Sequence, residues 1–168
     1  MGASSKRNVI WPGDWSTPPF YNYDNEIFQS FIDILHSNDL MDIIIQKLNL
    51  KKDNYYSRAF LTNDMKGFCI YPHPDTALKL MTMQFPLCEN NDYAKDFGMQ
   101  LCTKKDNNYS KVKRMHFKKN TMWAFKTTHN SYHTVDHLKY SGRIQAMLSL
   151  YYISGGGPVN DSTGKWRL

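Results

Sequence analysis

The segment Tyr71-Pro72-His73-Pro74-Asp75 sets two metal-competent side chains two positions apart. In an extended backbone, residues i and i+2 point to the same face, so His73 and Asp75 can converge on one ion. Pro74 supports that geometry, because the residue before a proline is driven into the extended region and proline cannot donate to a central ladder. The pair therefore belongs at a strand end or a bulge. A third ligand has to come from elsewhere, and the run His129-Asn130-Ser131-Tyr132-His133-Thr134-Val135-Asp136-His137 offers three histidines. Their spacing of four would suit a zinc-binding helix, but no Glu follows the first histidine as H-E-x-x-H requires. Asn130-Ser131, followed by Tyr132, Thr134 and Val135, favours a turn entering a strand instead.

Around these two segments the pattern is that of short strands. β-branched and aromatic residues gather between turn residues at 55–62, 67–71, 78–87, 98–103, 111–117, 121–125, 132–135 and 144–153. Eight such strands suffice for a small barrel or sandwich. Ahead of them, Ile27, Phe28, Phe31, Ile32, Ile34 and Leu35 recur at helical spacing after a cap at Asp24 or Asn25. A second helix begins near Ser37 or Asn38 and runs through Leu40, Met41, Ile43, Ile44, Ile45 and Leu48.

The organisation expected is thus a single domain over 1–168, mainly β with N-terminal helices. Residues 1–23, with two tryptophans, Pro and Gly but no period, read as an irregular arm, and 24–54 as supporting helices. Residues 55–153 form the β core, and the Gly-rich 154–168 a loosely docked tail. A hydrophobic content of 41% supplies one contiguous core, and eleven Tyr with nine Phe favour sheets over a plain helical bundle. The three cysteines make no C-x-x-C pair and leave an odd one over, which points to a reducing, cytoplasmic setting. No apolar run is long enough to span a bilayer, so the expectation is a soluble protein without a membrane partner. The net charge of +6 is concentrated in Lys104, Lys105, Lys111, Lys113, Arg114, Lys118 and Lys119, with Asp106 alone opposing them. This window reads first as a lysine-protected strand edge and second as a polyanion site.

Taken in order, the motifs carry a resemblance. H-x-D at His73 to Asp75 is followed by the strand Leu80-Met81-Thr82-Met83-Gln84-Phe85 and by Gly98 before Met99-Gln100-Leu101. Then come Asn120 to Phe125, Ser131 to His133, and Arg143 opening Ile144-Gln145-Ala146-Met147-Leu148. The set resembles the 2-oxoglutarate and iron(II)-dependent oxygenases, in particular their prolyl 4-hydroxylase-like branch, over about residues 55–153. The resemblance implies a distorted double-stranded β-helix, a jelly roll of the cupin kind. It implies His73, Asp75 and His133 as the iron ligands. In the family the distal histidine precedes the cosubstrate-binding cation by about ten residues, which is the separation of His133 from Arg143. His137, six residues before Arg143, is the second choice.

Two imidazoles and a carboxylate on one face of an octahedral iron(II) leave three positions open for oxygen chemistry. The resemblance implies 2-oxoglutarate as cosubstrate, O2 as oxidant, and hydroxylation coupled to decarboxylation of 2-oxoglutarate to succinate. Arg143 would take the far carboxylate of 2-oxoglutarate through its bidentate fork. Strand parity adds Thr82, Gln84 and Gln145, with Tyr71 and Gln100 beside them, as the pocket. Gln145 stands where other branches carry the serine of Arg-x-Ser. The substrate, whether a small molecule or a protein side chain, and the oligomeric state are not readable. Two other readings stay open: a non-catalytic binding or assembly module on the same fold, favoured by the chain's shortness, and an oxygenase directed to nucleic acid through 104–119.

Overall fold

A computed structural model describes residues 6–10, 26–50, 55–87, 94–152 and 165–167. In chain order the elements are β1 (Arg7–Ile10), α1 (Glu26–Leu35), α2 (Asn38–Lys47), β2 (Tyr55–Asp64), β3 (Ile70–His73) and β4 (Lys79–Pro86). There follow β5 (Gln100–Lys105), β6 (Asn108–Arg114), β7 (Trp123–Lys126), β8 (His133–Val135), β9 (Arg143–Tyr152) and β10 (Lys165–Arg167). Ser37 caps α2: its backbone is extended and its hydroxyl accepts from Leu40 N–H at 3.2 Å, satisfying a donor that the first turn leaves open.

The strands form two antiparallel sheets. One has the order β1-β2-β9-β4-β7, with β10 also on β2; the other has the order β3-β8-β5-β6. The larger sheet has two unlike faces. Tyr55 and Ala59 of β2, Ala146, Leu148 and Leu150 of β9, and Met81 and Met83 of β4 are buried against Ile32 and Leu35 of α1 and Met41 and Ile44 of α2. The helices are amphipathic because they cover this apolar face. His36 closes the same contact, with its Nδ1 2.8 Å from Ser57 Oγ. A second cluster draws on both sheets: Phe68, Phe97, Met99, Phe117, Trp123, Val135 and Leu138.

The structure departs from the sequence reading in places that have local causes. Residues 7–10, expected within an irregular arm, form an edge strand on β2, fixed where Arg7 lies opposite Asp64. Lys165–Arg167, expected in a loose tail, pair with the other end of β2. Trp11 and Trp15 lie outside the described residues. The strand expected at 111–117 is displaced to Asn108–Arg114, because Asp106 and Asn107 both take positive φ (49° and 65°) and make a two-residue turn. The glycine before β5 has a packing reason: a Cβ on Gly98 would run into the carbonyl oxygen of Met115.

Candidate metal centre

β3 and β8 are neighbours, and His73 stands opposite His133 in their register. Their rings lie 4.5 Å apart between centroids. Asp75 follows two residues on, in the turn toward β4. One donor atom from each of His73, Asp75 and His133 falls within 4.8 Å of the others. His133 is buried and the other two are half-buried, so the cluster lies at the rim of the space between the sheets.

The hydrogen bonds around the histidines decide which nitrogen is free. His73 Nδ1 lies 2.8 Å from Tyr71 O, and His133 Nδ1 lies 3.0 Å from Ser131 O. A carbonyl oxygen only accepts, so both Nδ1 atoms carry a proton, and in the neutral imidazole the lone pair a metal needs lies on Nε2. Each bond reaches back two residues, so the Tyr71 and Ser131 backbone sets the tautomer of the side chain it precedes. Asp75 is oriented by Thr82, whose hydroxyl donates to Oδ2 at 2.8 Å, and by Lys79, whose ammonium donates to Oδ1 at 3.2 Å. Burial pushes the Asp75 carboxyl up, but Lys79, Thr82 and His133 together outweigh it and hold it below the usual carboxylate value. Burial likewise lowers His133, more than the Ser131 carbonyl and Asp75 raise it, which favours the neutral imidazole a metal needs. Two neutral imidazoles and one ionised carboxylate are a donor set suited to iron(II).

The face of the large sheet turned away from the helices sets a row of polar side chains among Phe60, Met147, Trp123 and Phe125. By register, Thr82 lies beside Ser149, Gln84 beside Met147, and Gln145 between Pro86 and Thr62; Arg143 lies beside Asp64. Thr82, Gln84, Arg143 and Gln145, all expected in the pocket, therefore share this face. Thr62, Asp64 and Ser149 join them unforeseen: Asp64 lies past the strand expected at 55–62, and β9, buried on both faces over 145–150, shows no alternation that singles out Ser149. Thr62 Oγ1, Gln84 Oε1, Ser149 Oγ and both amide atoms of Gln145 are buried without a hydrogen-bond partner among the described residues. Polar atoms without a protein partner in such number are uncommon in native interiors, and groups of this kind are paired by water or by a polar ligand.

Arg143 is neither an open cation nor a surface salt bridge. It is fully buried, donates from Nη1 to Asp64 Oδ2 at 2.5 Å and from Nε to Phe97 O at 2.6 Å, and lies over the Phe117 ring. Asp64 also accepts from Arg7, at 2.5 and 2.8 Å. Two expected pocket residues lie elsewhere. A register shift between Ile70 and His73 turns Tyr71 out, leaving it 68% exposed with only its carbonyl at the site. Gln100 lies opposite Thr134, on the face of β5 away from His133, where it donates to Asp136. His129 and His137 are exposed.

No family model and no curated protein matches the chain. Solved structures do. A Pseudomonas putida prolyl-4-hydroxylase superposes with a TM-score of 0.52 at 15% identity, covering 86% of this chain and 69% of its own. A 2OG-Fe(II) oxygenase family protein from Burkholderia pseudomallei gives 0.57 at 12% identity, covering 86% and 67%. A Trichoplax adhaerens prolyl hydroxylase, in complex with a hypoxia inducible factor oxygen degradation domain peptide fragment, gives 0.52 at 15% identity. There the match covers 87% of this chain and 62% of that one, so this chain spans less than two thirds of that relative. The chain thus has the fold of the prolyl 4-hydroxylase-like 2-oxoglutarate and iron(II) oxygenases.

Proposed function

We propose that the chain is an iron(II)- and 2-oxoglutarate-dependent oxygenase that hydroxylates a polypeptide side chain or a small molecule. The observation that carries this reading is the convergence of His73, Asp75 and His133 with both histidines held in the metal-binding tautomer. The strand order supports a distorted double-stranded β-helix: the H-x-D strand and the distal-histidine strand are neighbours in one sheet, and the Arg143 strand is central in the other. When bound, iron and 2-oxoglutarate would let dioxygen act as the oxidant, one oxygen atom entering succinate as 2-oxoglutarate loses carbon dioxide and the other entering the hydroxylated substrate. The protein's part is positional. His73, Asp75 and His133 would hold the ion, and the Thr82 hydroxyl orients Asp75 through its bond to Oδ2. Gln84, Gln145, Thr62 and Ser149 offer donors and acceptors to the polar body of the cosubstrate. At the deep end, two guanidinium groups face the single carboxylate of Asp64, so a further carboxylate on Arg143 would bring the cluster to neutrality.

The same cluster favours a second reading. Asp64 already engages Arg143, and a site whose anion pocket is filled from within suits a binding or assembly module. Anaerobic calorimetry separates the two. The oxygenase reading expects manganese(II) to bind, 2-oxoglutarate to bind only after it, and His73→Ala to abolish both; succinate release under iron(II) and oxygen then follows. A protein indifferent to both ligands belongs to the second reading.

A further inference from the structure

β6 is the outermost strand of its sheet, and all seven of its residues are exposed. It is joined to β5 by the two-residue turn at Asp106-Asn107, with Lys105 opposite Asn108. The pair flanking such a turn is hydrogen-bonded, and the next pair, Lys104 and Tyr109, is not, so the Tyr109 N–H and C=O face the open edge. The hairpin carries Lys104, Lys105, Lys111, Lys113 and Arg114 against Asp106. Asp136 holds Lys111 and Arg114, and Lys104 lies over the rings of Tyr109 and Tyr132. Lys105 and Lys113 have no ion-pair partner among the described residues.

We propose that the free edge of β6 is a docking surface for an acidic, extended polypeptide segment, added to the sheet as a further strand. Lysines on an open edge repel a second copy of the same hairpin, which excludes self-pairing, and attract a strand of opposite charge. A polynucleotide fits less well: Tyr109 and Tyr132 already pack on each other at 5.3 Å with Lys104 over both, which competes with base stacking, and nucleic acid has no use for a row of backbone groups. The placement also says where the docked segment lies relative to the metal ligands. Leu101 pairs with His133 on one side and Lys113 on the other, so an added strand sits about 15 Å from His133 at a strand spacing of about 4.8 Å. A residue reaching the metal centre is then separated from the acidic segment by at least about five extended residues.

The test is binding to the whole chain without metal, so it stands apart from the oxygenase reading. The probe is a short fluorescein-labelled peptide of alternating Glu and Val, followed by fluorescence polarisation at low salt. It is expected to bind, and Lys105→Glu with Lys113→Glu to weaken it roughly tenfold while the melting midpoint holds. The same peptide N-methylated on alternate residues is expected to lose binding to a similar degree, because strand pairing is blocked at unchanged charge. No binding of the acidic peptide, or binding indifferent to the lysine substitutions, overturns the proposal. Equal binding of the N-methylated peptide overturns strand addition, and tighter binding of oligothymidylate of equal charge assigns the surface to nucleic acid instead.

Discussion

Asp64→Asn tests the charge cluster at the deep end of the site. Asp64 is fully buried and receives three charge-assisted bonds, two from Arg7 and one from Arg143. The substitution keeps the shape of the side chain and removes its charge, so the fully buried Arg143 guanidinium loses its Asp64 counter-ion. Breaking a buried pair by removing one partner costs about 3–5 kcal/mol. For a domain of this size that lowers the melting midpoint by roughly 10 °C, out of a total stability of about 5–15 kcal/mol. Arg143→Met is expected to cost less, because Asp64 keeps both bonds from Arg7 and the new side chain lies against Phe117. In the double variant no buried guanidinium is stranded, so its cost falls short of the sum of the two. Urea unfolding of all four proteins measures this cycle. An Asp64→Asn protein within about 1 kcal/mol of the parent, or costs that simply add, would mean that the cluster is not desolvated, and the argument would fail. The variant also probes the cosubstrate. If Arg143 can take a carboxylate, then 2-oxoglutarate with manganese(II) raises the midpoint of Asp64→Asn by more than it raises that of the parent.

Three further outcomes follow from the geometry. Burial outweighs the nearby Asp33 and lowers the His36 pKa from 6.5 to about 4. The stability linked to its neutral form is therefore complete above pH 6.5 and falls by about 3 kcal/mol as the pH drops to 4. His36→Phe should reduce the slope of urea midpoint against pH in that window, leaving the part that His133, which burial also lowers from 6.5, contributes there, while the lowered carboxyls of Asp75 and Asp136 act only below their ordinary value of 3.8. Thr82→Val removes the hydroxyl that orients Asp75 and is expected to weaken manganese(II) binding about tenfold with little change in melting, read by calorimetry. Gly98→Ala drives a methyl group into the Met115 carbonyl, a backbone atom that cannot rotate away, and should cost about 2 kcal/mol or more in thermal unfolding.

The sequence points to His73 and Asp75 as candidate ligands because their constraint is local, whereas His133 is singled out among three histidines only by the family's spacing to Arg143. Proline on both sides of His73, and the turn at Asn130-Ser131 before His133, prescribe backbone geometry that side chains cannot override. The helices were readable for the same reason, since their apolar period is an intrinsic signal and Ser37 a recognisable cap. What the sequence hid depends on pairing between distant segments. Asp64 lies beyond the strand expected at 55–62 and becomes a buried counter-ion only because β2 runs on to it, Arg143 falls opposite it and Arg7 folds back on the other edge. Gln100 and Tyr71 misled parity in two ways: a register shift in β3 reverses Tyr71, and Gln100 sits on a strand whose inward face is set by its pairing with β8.

The opposed faces of the large sheet explain how this interior is tolerated. Amide and hydroxyl groups buried without a protein partner cost roughly 1–3 kcal/mol each wherever neither water nor ligand pairs them, which together rivals the stability of a typical domain. The compensating burial lies on the other face, where Met81, Met83, Ala146, Leu148 and Leu150 pack against α1 and α2. Because residues alternate across each strand, the two roles fall to interleaved positions of the same segment: Leu148 and Leu150 hold the fold, while Gln145 and Ser149 face the site. Filling the polar face with a ligand should then stabilise the protein by more than its affinity for the metal alone accounts for. Replacing Gln145 with leucine should raise the melting point of the ligand-free chain while weakening 2-oxoglutarate binding, as expected where stability has been given up for a binding surface. A Gln145→Leu protein that melts lower and binds unchanged would place that amide in the structural framework instead.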